Sequence, residues 1–392
     1  MEYNPLLPEV QENPYPYYAY LRQHAPVYWV ASLECWALSR YADVDYAVRT
    51  PQLFSSAGFI ATIFGDMNPV PEVPWMLDLD PPDHTRLRKL VNKAFTPRLV
   101  SAMEPRLRSI TDQLLAAFRN QPVFDLVKDF SMPLPVTVIA ELLGIEQDRR
   151  IDFKRWSDDV GHSANRPSDV AEQARIRHSV TEMRAYLQGM ISQRRTDPQD
   201  DLITALIRAE EEHQVLSSNE IFALTALLLL AGNETTTNLI GNAVLLLLDY
   251  PEVLAQIRDQ PALLPQFIEE VLRFESPIQC LFRQATGDID IAGATIPAGA
   301  RVLLLNGSAN RDEGHFLNAD QFALERNSSD HLAFGYGIHY CLGAQLARLE
   351  ARVALEALLF DLPPFSRQTQ TVERIRVLNL RGPHTLPLVW AA

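Results

Sequence analysis

The chain is 392 residues long with a formal net charge of −14, which disfavours nucleic acid as a partner and supplies no polybasic patch for an anionic membrane. Its three cysteines, Cys35, Cys280 and Cys341, make no disulfide framework, so a reducing compartment is expected. The length would suit two or three domains, yet no Gly/Ser-rich or charge-rich linker divides it, and residues 1–392 read as a single domain.

The N-terminal stretch, Met1 to Pro8, lacks the basic and apolar regions of a signal peptide, and a cytoplasmic protein is expected. Residues 26–39, with Val27, Trp29, Trp36 and Leu38 alternating, predict a pair of strands. The segment 54–76 carries Phe54, Phe59, Ile60, Ile63, Phe64, Val70, Val73, Trp75 and Met76, with Asp66 and Glu72 as its charges. His84 and Arg88 follow Pro81 and Pro82 at a spacing of four and so share one helical face. Amphipathic periodicity predicts long helices over Arg98–Arg119, Val170–Arg195, Asn219–Tyr250 and Ala344–Phe360.

Inside the third of these, residues 233–238 are all polar while the flanking helix is apolar. Burying such an island costs free energy unless it faces something polar. Gly232 weakens the helix just before it and leaves room for a ligand or water. The apolar run Ile221–Gly232 is too short to span a bilayer, so no membrane anchor is expected. Further on, Glu270 and Arg273 lie three apart on a helix, and Arg326 sits in a polar stretch beyond them. Residues 288–305 read as strand, glycine turn, strand, and a second hairpin is predicted around Ile375–Leu388.

The sharpest signal is Phe334-Gly335-Tyr336-Gly337-Ile338-His339-Tyr340-Cys341-Leu342-Gly343, a glycine-punctuated loop that delivers one thiol to the start of a helix. A chance match to Phe-Gly-x-Gly-x-His-x-Cys-x-Gly is on the order of one in a million for a chain of this length. Gly335 and Gly337 permit a backbone that bends back and approaches a flat ring closely. The N-terminal end of the following helix would favour the thiolate form.

This loop resembles the haem-binding loop of the cytochrome P-450 superfamily, and the other motifs follow in the family's order. The resemblance implies a mainly α fold, a helical prism enclosing haem b, with a smaller β-rich lobe near the N-terminus and no fused reductase. Cys341 would be the axial ligand of the haem iron. Glu270, Arg273 and Arg326 would form the family's buried charged triad. Arg283 and His339, with His84 and Arg88, would bind the haem propionates, because two carboxylates in an apolar pocket need charge-assisted donors. In the polar island Glu234 and Thr235 resemble the acid–alcohol pair of the oxygen-activating helix: Thr235 would hold water and dioxygen, and Glu234 would feed protons.

The expected activity is therefore a haem-thiolate monooxygenase that inserts one oxygen atom of O2 into an apolar small molecule, by hydroxylation or epoxidation. Terpenoids, steroids, fatty acids and secondary metabolites are the classes that the resemblance implies. Electrons would come from a ferredoxin and its NAD(P)H-dependent reductase, and the protein would be a monomer. Arg86, Arg88, Lys89, Lys93 and Arg98, with Arg348 and Arg352 after the cysteine, would offer an acidic ferredoxin its complement. A peroxide-using or rearranging haem-thiolate enzyme, or a haem-containing recruitment module without catalysis, are the alternatives; the intact Glu234–Thr235 pair and triad argue against both.

Overall fold

The structure, a computed structural model, describes residues 1–68, 70–163, 169–211 and 214–391. The first predicted strands pair as an antiparallel hairpin, Val27–Val30 with Cys35–Leu38, in a register that sets Trp29 opposite Trp36. The two indoles meet edge to face, their centroids 5.5 Å apart. Cys35–Leu38 continues in parallel onto Arg301–Leu304, followed by Leu281–Ala285 and Phe54–Ser55, which completes a five-stranded sheet. The period of two puts Leu38, Phe54, Ala285, Val302 and Leu304 into one core, where they pack with Val44, Ala47 and Val48 of the Tyr41–Arg49 helix.

The stretch 288–305 resolves into two features. Ile289–Ile291 and Ala294–Ile296 form a hairpin whose two turn residues, Ala292 and Gly293, both have positive φ, the requirement of a two-residue turn that matches strand twist. Arg301–Leu304 then leaves for the larger sheet. The hairpin predicted around Ile375–Leu388 does not form as a ladder. Ile375 N–H bonds the Gly382 carbonyl and a single bridge joins Arg374 to Pro383, whereas Pro387–Trp390 pairs with Phe365–Arg367 and Val123–Asp125. His384 N–H donates to the Glu373 carbonyl at 2.7 Å on the far side of that bridge, and the intervening Leu380 is bridged to Ile278 instead, so no longer ladder builds within the segment.

Contacts group the chain into two compact units. The first comprises Met1–Ser55, Thr111–Ser131 and Thr235–Ala392, and it holds the three sheets above together with the Leu264–Phe274 and Ala344–Phe360 helices. The second comprises Ser56–Ile110 and Met132–Glu234 and is mainly helical, with Asp83–Ala94, Arg150–Ser163 and Val170–Thr196 among its helices. The single helix predicted over Arg98–Arg119 is two, Pro97–Ala102 and Glu104–Phe118, broken at Met103. Pro105 lacks the N–H that a continuous helix would need and is tolerated only in the first turn of a new one.

The 32-residue helix Ser218–Asp249 carries the polar island. Its start is a reciprocal cap: Ser217 Oγ accepts from Glu220 N–H at 3.2 Å while the Glu220 carboxylate accepts from Ser217 N–H at 2.8 Å. Pro251 ends it and opens the next helix at that helix's first position. Among the described residues no single helix is long and apolar enough to cross a membrane.

Candidate active site

The Cys341 loop lies in the first unit and is built on glycines with positive φ, +65° at Gly335 and +68° at Gly337. At Gly337 the need is double, since a Cβ there would stand 2.8 Å from the Val48 carbonyl oxygen. Cys341 N–H donates to Phe334 O at 2.9 Å and closes the loop one step before the Ala344–Phe360 helix. At Gly343, by contrast, nothing lies within 4 Å of where a Cβ would sit. The loop therefore has one crowded side and one open side. Cys341 is partly exposed, whereas Cys35 and Cys280 are buried and burial pushes both their thiols up, Cys35 to about 12. Cys280 Sγ is directed at the Leu378 carbonyl 3.8 Å away.

Behind the loop, Glu270 and Arg273 of the Leu264–Phe274 helix are wholly buried and paired by two bonds of 2.7 Å. Arg326 Nε joins the same carboxylate at 3.3 Å, Ala323 N–H at 2.9 Å, and Ser328 Oγ completes the set. Arg273 also donates to the carbonyls of Asn310, Ala319 and Gln321. Burial alone would raise Glu270, yet the bonds and charge of Arg273 hold its carboxyl below the usual range. The three residues picked out from sequence thus meet in one satisfied cluster.

Two further clusters carry no sequence signal. Glu269, the neighbour of Glu270, accepts from Arg348 Nε at 2.6 Å and Nη2 at 2.8 Å, and His331 Nε2 lies 3.2 Å from it. Arg348, with its side chain 32% exposed, is thus ion-paired within the chain, as are two other cations of the basic set: Arg352 bonds Glu356, and Arg86 bonds Glu220. Glu275, at the end of the same helix, is buried against Arg381 (2.8 Å) and Arg311 (3.4 Å). Burial would raise it, but Arg381, Arg374 and Arg311 bring its pKa down to about 2.

Arg283 lies on the Leu281–Ala285 strand opposite Val302, 8% exposed, with Nη1 on the Phe282 carbonyl at 2.7 Å. His339 ends the Gly337–His339 turn and is half-buried. In the second unit His84 is buried and Arg88 half-buried, four apart on the Asp83–Ala94 helix.

The polar island finds partners along its length. Asn233 Nδ2 donates to Ser157 Oγ at 3.2 Å, and Thr237 Oγ1 to the Ser131 carbonyl at 3.0 Å. Asn242 Nδ2, one turn on, binds the carbonyls of both Glu275 and Arg381 at 3.0 Å. Glu234 is admitted by Gly161, where a Cβ would come 3.0 Å from its Oε1. Glu234 and Thr235 are half-buried and Ala231 is exposed, although most of the helix on either side is buried. In the apolar segment 54–76, Phe64 stacks on Trp75 with ring centroids 6.1 Å apart, and Trp75 Nε1 donates to Asn68 Oδ1 at 3.1 Å. The side chain of Ile63 lies outside those described.

A family model described as Cytochrome P450 matches residues 75–377. The vitamin D(3) 25-hydroxylase of Pseudonocardia autotrophica is 41% identical over 90% of this chain and 87% of its own. Among solved structures, cytochrome P450 CYP109Q5 from Chondromyces apiculatus superposes with a TM-score of 0.93 at 41% identity, covering 100% of this chain and 99% of that one. CYP109E1 from Bacillus megaterium, in complex with testosterone, superposes with a TM-score of 0.89 at 35% identity over 97% of this chain and 100% of that one. The mainly α fold with small sheets, the thiol loop and these likenesses agree: the chain belongs to the cytochrome P450 family and is a haem-dependent monooxygenase acting on small molecules.

Proposed function

We propose that Cys341 is the axial thiolate of a haem b and that the enzyme hydroxylates a rigid, mainly apolar substrate of the steroid class. The observation that carries the reading is the loop itself. Gly335 and Gly337 turn it with positive φ, the Cys341 N–H is tied to Phe334 O, and the side at Gly343 is open to a flat group. When bound, the haem supplies the iron at which dioxygen is split and one oxygen atom passed to substrate.

The chain's own residues supply charge, protons and shape. Arg283 and His339 in the first unit, and separately His84 and Arg88 in the second, are cationic or N–H donors of the kind that a propionate needs. Glu270, Arg273 and Arg326 hold the structure behind the cysteine. Thr235 would hold water and Glu234 would pass protons to it, a relay that general acid catalysis requires. The apolar segment 54–76 selects a substrate with few polar groups. The names of two relatives, a vitamin D(3) hydroxylase and a testosterone complex, support the steroid class.

Electrons reach the enzyme from a ferredoxin and its NAD(P)H-dependent reductase, and the enzyme works as a cytoplasmic monomer. Titrating the purified ferric protein with steroids, terpenoids and fatty acids tests the reading through the low-to-high-spin shift. Steroids should produce the largest shift. A response confined to fatty acids would overturn the substrate class, and a carbon monoxide complex of imidazole type would overturn Cys341.

A further inference from the structure

Consecutive glutamates on one helix point about 100° apart, so Glu269 and Glu270 cannot serve the same partners. Glu270 holds Ala323, Arg326 and Ser328, upstream of the cysteine loop. Glu269 reaches something different: its carboxylate is shared by His331 and Arg348, residues on either side of Cys341 in the chain. One carboxylate thereby closes the stretch 331–348 into a ring with Cys341 inside it.

The closure is specific in geometry. Arg348 forks onto both oxygens of Glu269, a planar match that lysine cannot reproduce. His331 Nδ1 accepts from Ala333 N–H at 3.1 Å, which leaves Nε2 as the protonated nitrogen facing Glu269. The Arg348 guanidinium then lies 4.5 Å from the Phe334 ring centroid and 3.4 Å from Tyr340 Oη. Those are the residue whose carbonyl accepts the Cys341 N–H and the residue immediately before Cys341. The base of the ring is pinned as well, since Asn306 Nδ2 donates to Leu332 O and Leu332 N–H to Asn310 Oδ1. Burial alone would raise Glu269, yet Arg348 and then His331 bring its pKa down to about 2.

We propose that Glu269, with Arg348 and His331, is the positioning device of the thiolate: it staples both ends of the loop and sets where Cys341 Sγ is presented. The proposal rests on Cys341 being the haem ligand. Loss of the staple leaves the loop sequence intact and frees its ends, so the thiolate bond should become labile while the fold persists. Arg348 and Glu269 are positioning residues, since neither touches the cysteine sulfur in any contact described above.

The test compares holoenzymes of wild type, Glu269→Gln, Arg348→Lys and Arg348→Met by the spectrum of the reduced carbon monoxide complex, its rate of decay from thiolate type to neutral-thiol type, and the ferric/ferrous midpoint potential. Asp201→Asn, which breaks the buried Arg194–Asp201 pair of the second unit, is the control for stability loss alone. Decay should be about tenfold faster in Glu269→Gln and Arg348→Met, intermediate in Arg348→Lys, and near wild type in the control. Should Glu269→Gln fail to take up haem, the graded Arg348 pair still decides. Equal decay and equal potentials in all variants, or decay that merely follows unfolding midpoint across the control as well, would overturn the proposal. A wild type without a thiolate-type band would instead overturn the assignment of Cys341, a separate outcome.

Discussion

Arg273 meets Glu270 through two parallel hydrogen bonds of 2.7 Å, and neither side chain has any exposure. Such a pair is neutral only as long as both partners remain. Replacing Arg273 with Met removes the two-pronged partner of a buried carboxylate and leaves it Arg326, Ala323 N–H and Ser328, and should cost about 3–5 kcal/mol. Urea unfolding and the ratio of haem to protein absorbance measure the loss; a variant within about 1 kcal/mol of wild type contradicts this account.

Two glycines of the cysteine loop should respond differently to the same change. Gly337→Ala forces a side chain into a positive φ and within 2.8 Å of a backbone oxygen, and about 1–3 kcal/mol of stability should be lost. Gly343 has φ −84° with nothing within 4 Å of its Cβ position. Gly343→Ala should change the unfolding free energy of the haem-free protein by less than about 0.5 kcal/mol.

The pH profile of stability has two limbs with opposite carboxylates behind them. Glu275 is held at about 2 in the fold against an ordinary value of 4.5. Its stabilisation is present above the ordinary value and is lost as pH falls from there towards 2, about 3 kcal/mol in all. Glu350, on the cysteine helix, is buried with its Oε2 lacking a hydrogen-bond partner among the described residues, and burial pushes its pKa up to about 8. The folded state then binds a proton that the unfolded chain releases, so stability declines as pH rises from 4.5 to 8, by at most about 1.4 kcal/mol per unit. Glu350→Gln should flatten that upper limb and leave the acid limb in place. Unfolding midpoints across the range check both.

Thr235→Ala removes one hydroxyl and one methyl from the half-buried island. Haem content and spin-shift affinity should stay near wild type, while product formed per dioxygen consumed falls severalfold. Oxygen uptake measured beside product yield distinguishes this from a general loss of activity, in which both would fall together.

The legible parts of this protein share a cause. The Ala344–Phe360 helix occurs at the residues that periodicity marked. The Cys341 loop and the Glu270–Arg273 step are short-range patterns whose spacing carries their geometry. Glycines with positive φ and residues three apart on a helix are constrained by neighbours in the chain, and a sequence displays its neighbours.

Other parts depend on partners that the chain brings from far away. Glu275 meets Arg381 across 106 positions, and Glu269 meets Arg348 across 79. Isolated in sequence, each is an ordinary charged residue on an amphipathic helix, and Arg348 even reads as part of a surface patch. The final strand is a similar case: Ile375–Leu388 has the composition of a hairpin, but Leu380 bridges distant Ile278 and Pro387–Trp390 pairs with Phe365–Arg367 and Val123–Asp125. Sequence alone determined the thiol loop and the Glu270–Arg273 step, because these follow from local backbone rules and helical period, whereas the triad with Arg326 and the mainly α class were implied by resemblance to a known family. Tertiary structure decided which carboxylate closes the cysteine loop, which partners the arginines take and how the last strand pairs, because those depend on which surfaces packing brings within hydrogen-bond reach.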